Sequence, residues 1–225
     1  TVTHELRTPL VATQKALDVV GMKAAGPLND DQARFIDIAR RNLDRLNRLI
    51  NDILDFSKLE AGKMKLELAE TSIERAIDDV HHALGTWAQS KEISLEKRIG
   101  PDIPPLMKDV NRIIQVLNNL VSNGLKFTPK GGRVIMEAKV RNNGQEVEVS
   151  VEDSGVGIPK KDLDRVFERF LQLSERRQTD ISGTGLGLSI AQEIVELHGG
   201  KIWAESEEGH GAKFIFVLPV KRATA

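Results

Sequence analysis

Ile36, Ala39, Leu43, Leu46, Ile50 and Ile53 alternate at spacings of three and four residues. Sustained over this length, the spacing defines a helix with an apolar seam along one face, the pattern of helices that pack against partner helices. Phe35, Leu49 and Phe56 form a second apolar edge beside it. Upstream, Leu6, Leu10, Thr13, Leu17 and Val20 recur at four and three and line one face of another helix, ending near Met22. Gly21, Gly26 and Pro27 break the pattern, and Asn29-Asp30 supply N-cap chemistry for the second helix. Residues 1 to about 64 therefore read as a helical hairpin. A two-helix hairpin cannot bury so wide an apolar surface alone; two copies in a four-helix bundle can. The expectation is a homodimer. Packing on the rest of the same chain is the alternative, and it fits less well with a seam that stays regular along both helices.

Composition narrows the classes. The 225 residues allow one or two domains, and a net charge of −1 gives no electrostatic footprint for nucleic acid or an anionic membrane. Cysteine is absent, which excludes disulfides and thiolate metal sites. No apolar run approaches the roughly 18–20 residues that span a bilayer, and no signal peptide is visible. The chain begins at Thr1 without Met, inside what reads as a functional helix. The expectation is a cytoplasmic fragment whose membrane contact, if any, comes from a missing upstream region.

From about Lys65 the pattern becomes mixed. Met64–Leu68 alternates like a short strand, residues 72–90 read as a helix, and Ile93–Glu96 as a strand. Pro101, Pro104 and Pro105 mark a loop, and Asp109 opens a helix to about Lys126. Val134–Val140 and Val147–Val151 read as strands joined by the turn signal Asn142-Asn143-Gly144. A helix near 185–198 and strands near 201–205 and 213–218 close the chain. Paired strands with helices between the pairs predict an α+β sandwich. The expected domains are 1–64 and 65–222.

Five clusters carry chemistry. His4-Glu5 puts an imidazole beside a carboxylate, off the apolar stripe, so the ring should face solvent as a nucleophile with a proton acceptor next to it. A zinc helix is excluded, because His-Glu-x-x-Thr lacks the second His. Asn119 and Asn123 are four apart, with Lys126 three further on. Two amide oxygens and an ammonium on one helix face suit magnesium with phosphates attached, because magnesium keeps several waters and needs few protein ligands. Asp153-Ser154-Gly155-Val156-Gly157 follows a strand; its glycines admit a flat ligand, and the carboxylate can accept from an exocyclic amine such as adenine N6. Gly183-Thr184-Gly185-Leu186-Gly187 runs into an apolar helix and offers backbone N–H groups to phosphate. It is neither the dinucleotide fingerprint nor a Walker A loop. Before it, Phe167-Glu168-Arg169-Phe170 precedes a polar stretch with Arg176 and Arg177, which reads as a mobile lid over residues 171–182 anchored by the two phenylalanines. Taken singly, each cluster also has a bland reading as a solvated helix face or an ordinary turn.

In this order, the clusters resemble the transmitter region of two-component sensor histidine kinases: an H box at His4–Leu10, an N box at Asn119–Lys126, glycine boxes at Asp153–Gly157 and Gly183–Gly187, and an F box at Phe167–Phe170. Phe56–Gly62, between the halves, also looks like this family's. The resemblance spans essentially the whole chain. It implies a dimeric four-helix bundle followed by an α/β sandwich of the Bergerat, gyrase-like ATPase fold. It implies ATP-dependent phosphorylation of His4 with Glu5 as general base, and transfer to an aspartate of a response regulator receiver domain. Thr8 stands at the family's position for orienting water when such kinases dephosphorylate their partner. Asn123 would be the main magnesium ligand with Asn119 assisting, Lys126 and Arg169 would neutralise phosphate charge, and Asp153 would read adenine. Gly155, Gly157, Thr184, Gly185, Leu186 and Gly187, with Gly183, complete the implied ATP contacts. Two departures stand out: Gly124 replaces the usual Ala, which should loosen the helix, and Gln172 stands near where many relatives have Arg. His81, His82, His198 and His210 fit no motif and read as structural or solvent-facing. A pure ATPase switch or a non-catalytic scaffold are the competing classes; the first does not need His4-Glu5 on a dimerising hairpin, and the second does not need the nucleotide boxes.

Overall fold

The structure, a computed structural model, describes residues 2–22, 26–171 and 184–220, with backbone only for 2–7. Two compact units emerge, Thr1–Met64 and Lys65–Ala225. In the first, α1 (Val2–Gly21) and α2 (Asp30–Glu60) form the hairpin. A capping box starts α2: Asn29 Oδ1 accepts from Gln32 N–H at 2.8 Å, and Gln32 Oε1 accepts from Asn29 N–H at 3.0 Å. Asp30 and Asp31 in the first turn and Lys58 in the last complement the helix dipole. A Schellman closure ends it, with Lys63 N–H on Lys58 O, Gly62 N–H on Leu59 O, and Gly62 at φ +60°. Arg40 on α2 reaches back to Asp18 on α1, its guanidinium lying over Gly21. Of the 31 residues of α2 only Leu43 is buried, at 8% exposure. Leu46 is 43%, Ile53 54% and Phe35 69% exposed.

The second unit is a two-layer sandwich. A five-stranded sheet has the order β2-β4-β5-β7-β6, formed by β2 (Ser94–Ile99), β4 (Arg133–Arg141), β5 (Glu146–Asp153), β6 (Lys201–Ser206) and β7 (Ala212–Pro219). The β2–β4 pair is parallel and the others antiparallel. Helices α3 (Ile73–Ser90), α4 (Val110–Phe127) and α6 (Gly187–Leu197) pack on it, and a short α5 (Lys160–Leu163) follows β5. The buried positions of α4, Ile113, Val116, Leu117, Leu120 and Val121, recur at three and four. They share the core with Met136 and Ala138 of β4, Val147, Val149 and Val151 of β5, and Phe214, Phe216 and Leu218 of β7. These strand residues alternate, as one buried sheet face requires. On β5, Glu148 pairs with its cross-strand neighbour Lys139 at 3.0 Å and with Arg141 at 2.7 Å. That carboxylate holds the Lys139 ammonium above its usual pKa. Asn142, Asn143 and Gly144 all take positive φ and turn the chain from β4 to β5.

One expected strand is displaced. Met64–Leu68 alternates in burial but joins no strand among the described residues; the strand is β1 (Ala69–Thr71), antiparallel to β3 (Leu106–Lys108), a strand the prolines conceal in the sequence. Three residues of β3 support only three partners, and Glu67 N–H is taken instead by the Asp109 carboxylate at 2.9 Å.

Candidate functional site

His4 and Glu5 lie in the helical backbone of α1; their side chains are outside the described residues. Pro9, inside the helix, has no N–H to offer the carbonyl of Glu5 four residues earlier. Thr8 is exposed.

In the second unit the sequence clusters converge. Asp153, the last residue of β5, accepts Gly155 N–H on Oδ1 at 2.9 Å and Ala212 N–H, more weakly, at 3.4 Å. The carboxylate is thereby fixed in an Asx turn. Side chains at the neighbouring glycines would close this cradle. A Cβ on Gly155 would lie 2.5 Å from Phe127 O and 2.7 Å from Asp153 Oδ1. One on Gly157, at φ +66°, would lie 2.0 Å from Glu207 O. Thr128, which ends α4 behind this turn, buries its hydroxyl with no hydrogen-bond partner among the described residues. A cradle that only glycines fit, with an oriented carboxylate, suits a flat heterocycle with an amine donor.

Asn119 and Asn123 are half-buried on α4. Asn119 Nδ2 donates to Gly187 O at 2.9 Å, which joins the middle of α4 to the start of α6. The Asn123 amide has no hydrogen-bond partner among the described residues, so its oxygen is available to a ligand. Lys126 carries its ammonium 5.1 Å from the Phe127 ring centre. No group of three or more His, Asp or Glu among the described residues is arranged to hold a metal, so the amide oxygens would need phosphate oxygens to complete a magnesium shell. No side chain caps α6, which leaves its first N–H groups for an anion. Thr184 Oγ1 accepts Leu186 N–H at 3.0 Å. Leu186 itself is fully buried, so its side chain is core, and only its backbone can meet a ligand. Gly183 and residues 172–182 of the expected lid, including Arg176 and Arg177, lie outside the described residues.

Two details differ from expectation. The two F-box phenylalanines are placed differently: the Phe167 ring packs edge-on against Phe214, whereas Phe170 is 62% exposed at φ +61°. Phe170 N–H donates to Gly185 O at 2.9 Å, and a Cβ on Gly185 would meet the Phe170 backbone at 2.7 Å, so backbone crossing rather than ring burial joins the two boxes. Arg169 is paired with Glu193 of α6 at 3.3 Å, a partner with no motif signal. Two residues outside the motifs complete the turn: Gly211, whose Cβ would fall 1.9 Å from Asp153 O, and Ser206, whose hydroxyl donates to Gly211 O and accepts Ile158 N–H. Gly209-His210-Gly211 ahead of a strand was the available signal. A cavity of about 510 Å³ beside His81, Gly85 and Leu95 shares no residue with this site.

Residues 108–222 match the family described as histidine kinase-, DNA gyrase B- and HSP90-like ATPase, and residues 1–62 match the His Kinase A (phospho-acceptor) domain. The chain belongs to the sensor histidine kinases, as the transmitter region that joins these two domains, and its second unit has the Bergerat ATPase fold. It is 37% identical to the Bacillus subtilis sensor histidine kinase WalK over 222 residues, and 35% identical to the Pseudomonas aeruginosa alginate biosynthesis sensor protein KinB over 217. These alignments cover 98% and 96% of the chain but 36% of either relative. Full-length ShkA, solved in complex with AMPPNP, superposes with a TM-score of 0.78 at 32% identity, over 100% of this chain and 46% of that one. ThkA, solved in complex with the response regulator TrrA, gives 0.66 at 27% identity, over 98% and 60%. Among the described residues no helix is long and apolar enough to cross a membrane.

Proposed function

We propose that this chain phosphorylates His4 from ATP and passes the phosphoryl group to an aspartate of a response regulator receiver domain. The observation that carries the reading is the Asp153 cradle, with its carboxylate oriented by Gly155 and closed to all but glycine at 155, 157 and 211. Asp153 accepts from the adenine amine, and the uncapped start of α6 and Lys126 meet the phosphates. Asn123, with Asn119, holds magnesium, which when bound neutralises charge on the phosphate oxygens. A His4 ring nitrogen attacks the γ-phosphorus as the bond to the β-phosphate oxygen breaks; ADP leaves, and Glu5 takes the ring proton. The labile P–N bond then suits transfer to a carboxylate. Arg169 must exchange Glu193 for phosphate to contribute. Thr8 orients the water that hydrolyses the regulator's aspartyl phosphate, releasing phosphate, when the chain acts as a phosphatase. The likeness to ShkA with AMPPNP supports the nucleotide, and that to ThkA with TrrA supports the regulator. The wet seam of α2 supports a homodimer, with unit 1–64 as its dimerisation and phospho-acceptor domain and 65–222 as its catalytic domain. Incubation with γ-labelled ATP and magnesium should give acid-labile, base-stable label; label stable to acid, or none, would overturn the assignment.

A further inference from the structure

We propose that His198 is a positioning residue for the nucleotide site: its uncharged ring clasps the C-terminal end of α6 to the N-cap of α4 and sets the register in which Asn119 meets Gly187. The functional consequence rests on the ATP-site reading above. His198 is 6% exposed and fits no motif, yet both ring nitrogens are engaged. Nδ1 lies 2.8 Å from Ile194 O, an acceptor, and therefore carries the proton. Nε2 lies 3.1 Å from Asp109 N–H, a donor, and therefore carries the lone pair. One neutral tautomer satisfies both bonds.

The clasp is tied further on both sides. The buried Lys108 of β3 donates to the His198 carbonyl at 3.0 Å. The Asp109 carboxylate caps α4 at Arg112 N–H and holds Glu67 N–H, just beyond the end of unit 1. Helices α4 and α6 run antiparallel, so they are fastened at two points: Asp109 with His198 at one end, Asn119 with Gly187 at the other. The second point lies inside the candidate phosphate site; the first is remote from it and has no other evident task.

Adding a proton to Nε2 would set a donor against the Asp109 N–H and place a second cation by Lys108. The charged groups facing the ring are Lys108 and Asp109, and both Asp109 oxygens already accept backbone N–H groups. Burial, first, and then Lys108 hold the ring below the usual histidine pKa. Loss of the clasp on protonation frees α6 to shift along α4 and separates Asn119 from Gly187.

The test uses the 225-residue chain and avoids phosphorylation, because a label assay reads the chemistry at His4 as well as the clasp. NMR in the absence of nucleotide follows the His198 ring, the Asn119 side-chain amide and the Gly187 amide from about pH 7.5 to about pH 5. In wild type the three should move with one midpoint. In His198→Gln, whose amide can make both bonds without titrating, Asn119 and Gly187 should stay still. Affinity for magnesium-AMPPNP should fall several-fold over the same range in wild type, stay flat in His198→Gln, and be weak throughout in His198→Leu. Asn119 and Gly187 shifts that persist in His198→Gln would overturn the clasp, as would a wild-type ring that titrates while those resonances stay fixed. Absent AMPPNP binding at neutral pH with coupled shifts intact would overturn the ATP reading and leave the clasp standing.

Discussion

Leu46 and Leu120 sit midway along two amphipathic helices, α2 and α4, at equivalent points of the same three-and-four pattern. Leu120 is completely buried; Leu46 is 43% exposed. Around Leu120 the sheet and two neighbouring helices supply a closed core. Around Leu46 a single helix, α1, supplies half of one. Periodicity therefore states that a face will be covered and leaves open by what. The second unit completes its core within one copy, while the hairpin leaves its seam exposed, as the proposed homodimer requires.

That contrast can be broken most severely at the level of activity. His4→Gln should abolish phosphoryl label while AMPPNP binding stays at the wild-type level, and Asp153→Asn should abolish both. Isothermal titration beside a label assay reads the difference, and undiminished label on His4→Gln would sink the division of labour.

Next in size are the core and the seam. Leu120→Ala should cost about 2–5 kcal/mol in urea unfolding of the second unit, because the site cannot collapse. Leu46→Glu should leave that transition and AMPPNP binding unchanged but convert a sedimenting dimer to monomer, since each wet seam residue withholds roughly 1.5–3 kcal/mol. A wild-type chain that sediments as a monomer would remove the four-helix bundle.

A smaller effect separates the halves by pH. The His198 pKa is lowered in the folded chain, so the unfolded chain takes up a proton first. The stability this residue contributes is fully present above about pH 6.5 and drains away as pH falls below that value, until the folded ring also protonates. Thermal melting at stepped pH should show the decline in wild type and lose it in His198→Gln.

The smallest effect concerns Gly124. The sequence suggested a loosened helix, but a Cβ there would stand 3.2 Å from Val134 and 3.4 Å from Asp153, so the glycine also brings α4 close to β4 and β5. Gly124→Ala should gain helix propensity of about 1 kcal/mol and return part of it in displacing Val134. A net stabilisation below that figure is expected; destabilisation would mean that Val134 cannot yield.

How legible these features were depends on range. Local chemistry was readable: Asn29 and Asp109 cap where cap residues stood, and Asn142-Asn143-Gly144 turns the chain. The order β2-β4-β5-β7-β6 was not, because pairing depends on which strands lie side by side, and no residue type records that. Of the candidate site, the motif residues Asn119, Asp153 and Gly155 could be named from spacing. Their partners Gly211, Glu193 and Ser206 could not, since each matters only through a contact made across the fold.

The double fastening of α4 and α6 acts as a ruler. Asn119 lies ten positions after Asp109 and His198 eleven after Gly187, spans of about 15 and 16.5 Å. Inserting one residue in either arm turns its far end by roughly 100°, so one fastening must open whichever residue is added. Chains of this kind should therefore tolerate changes of residue along these arms far better than changes of length, whereas the Asn142–Gly144 turn, which measures nothing, should accept added residues freely.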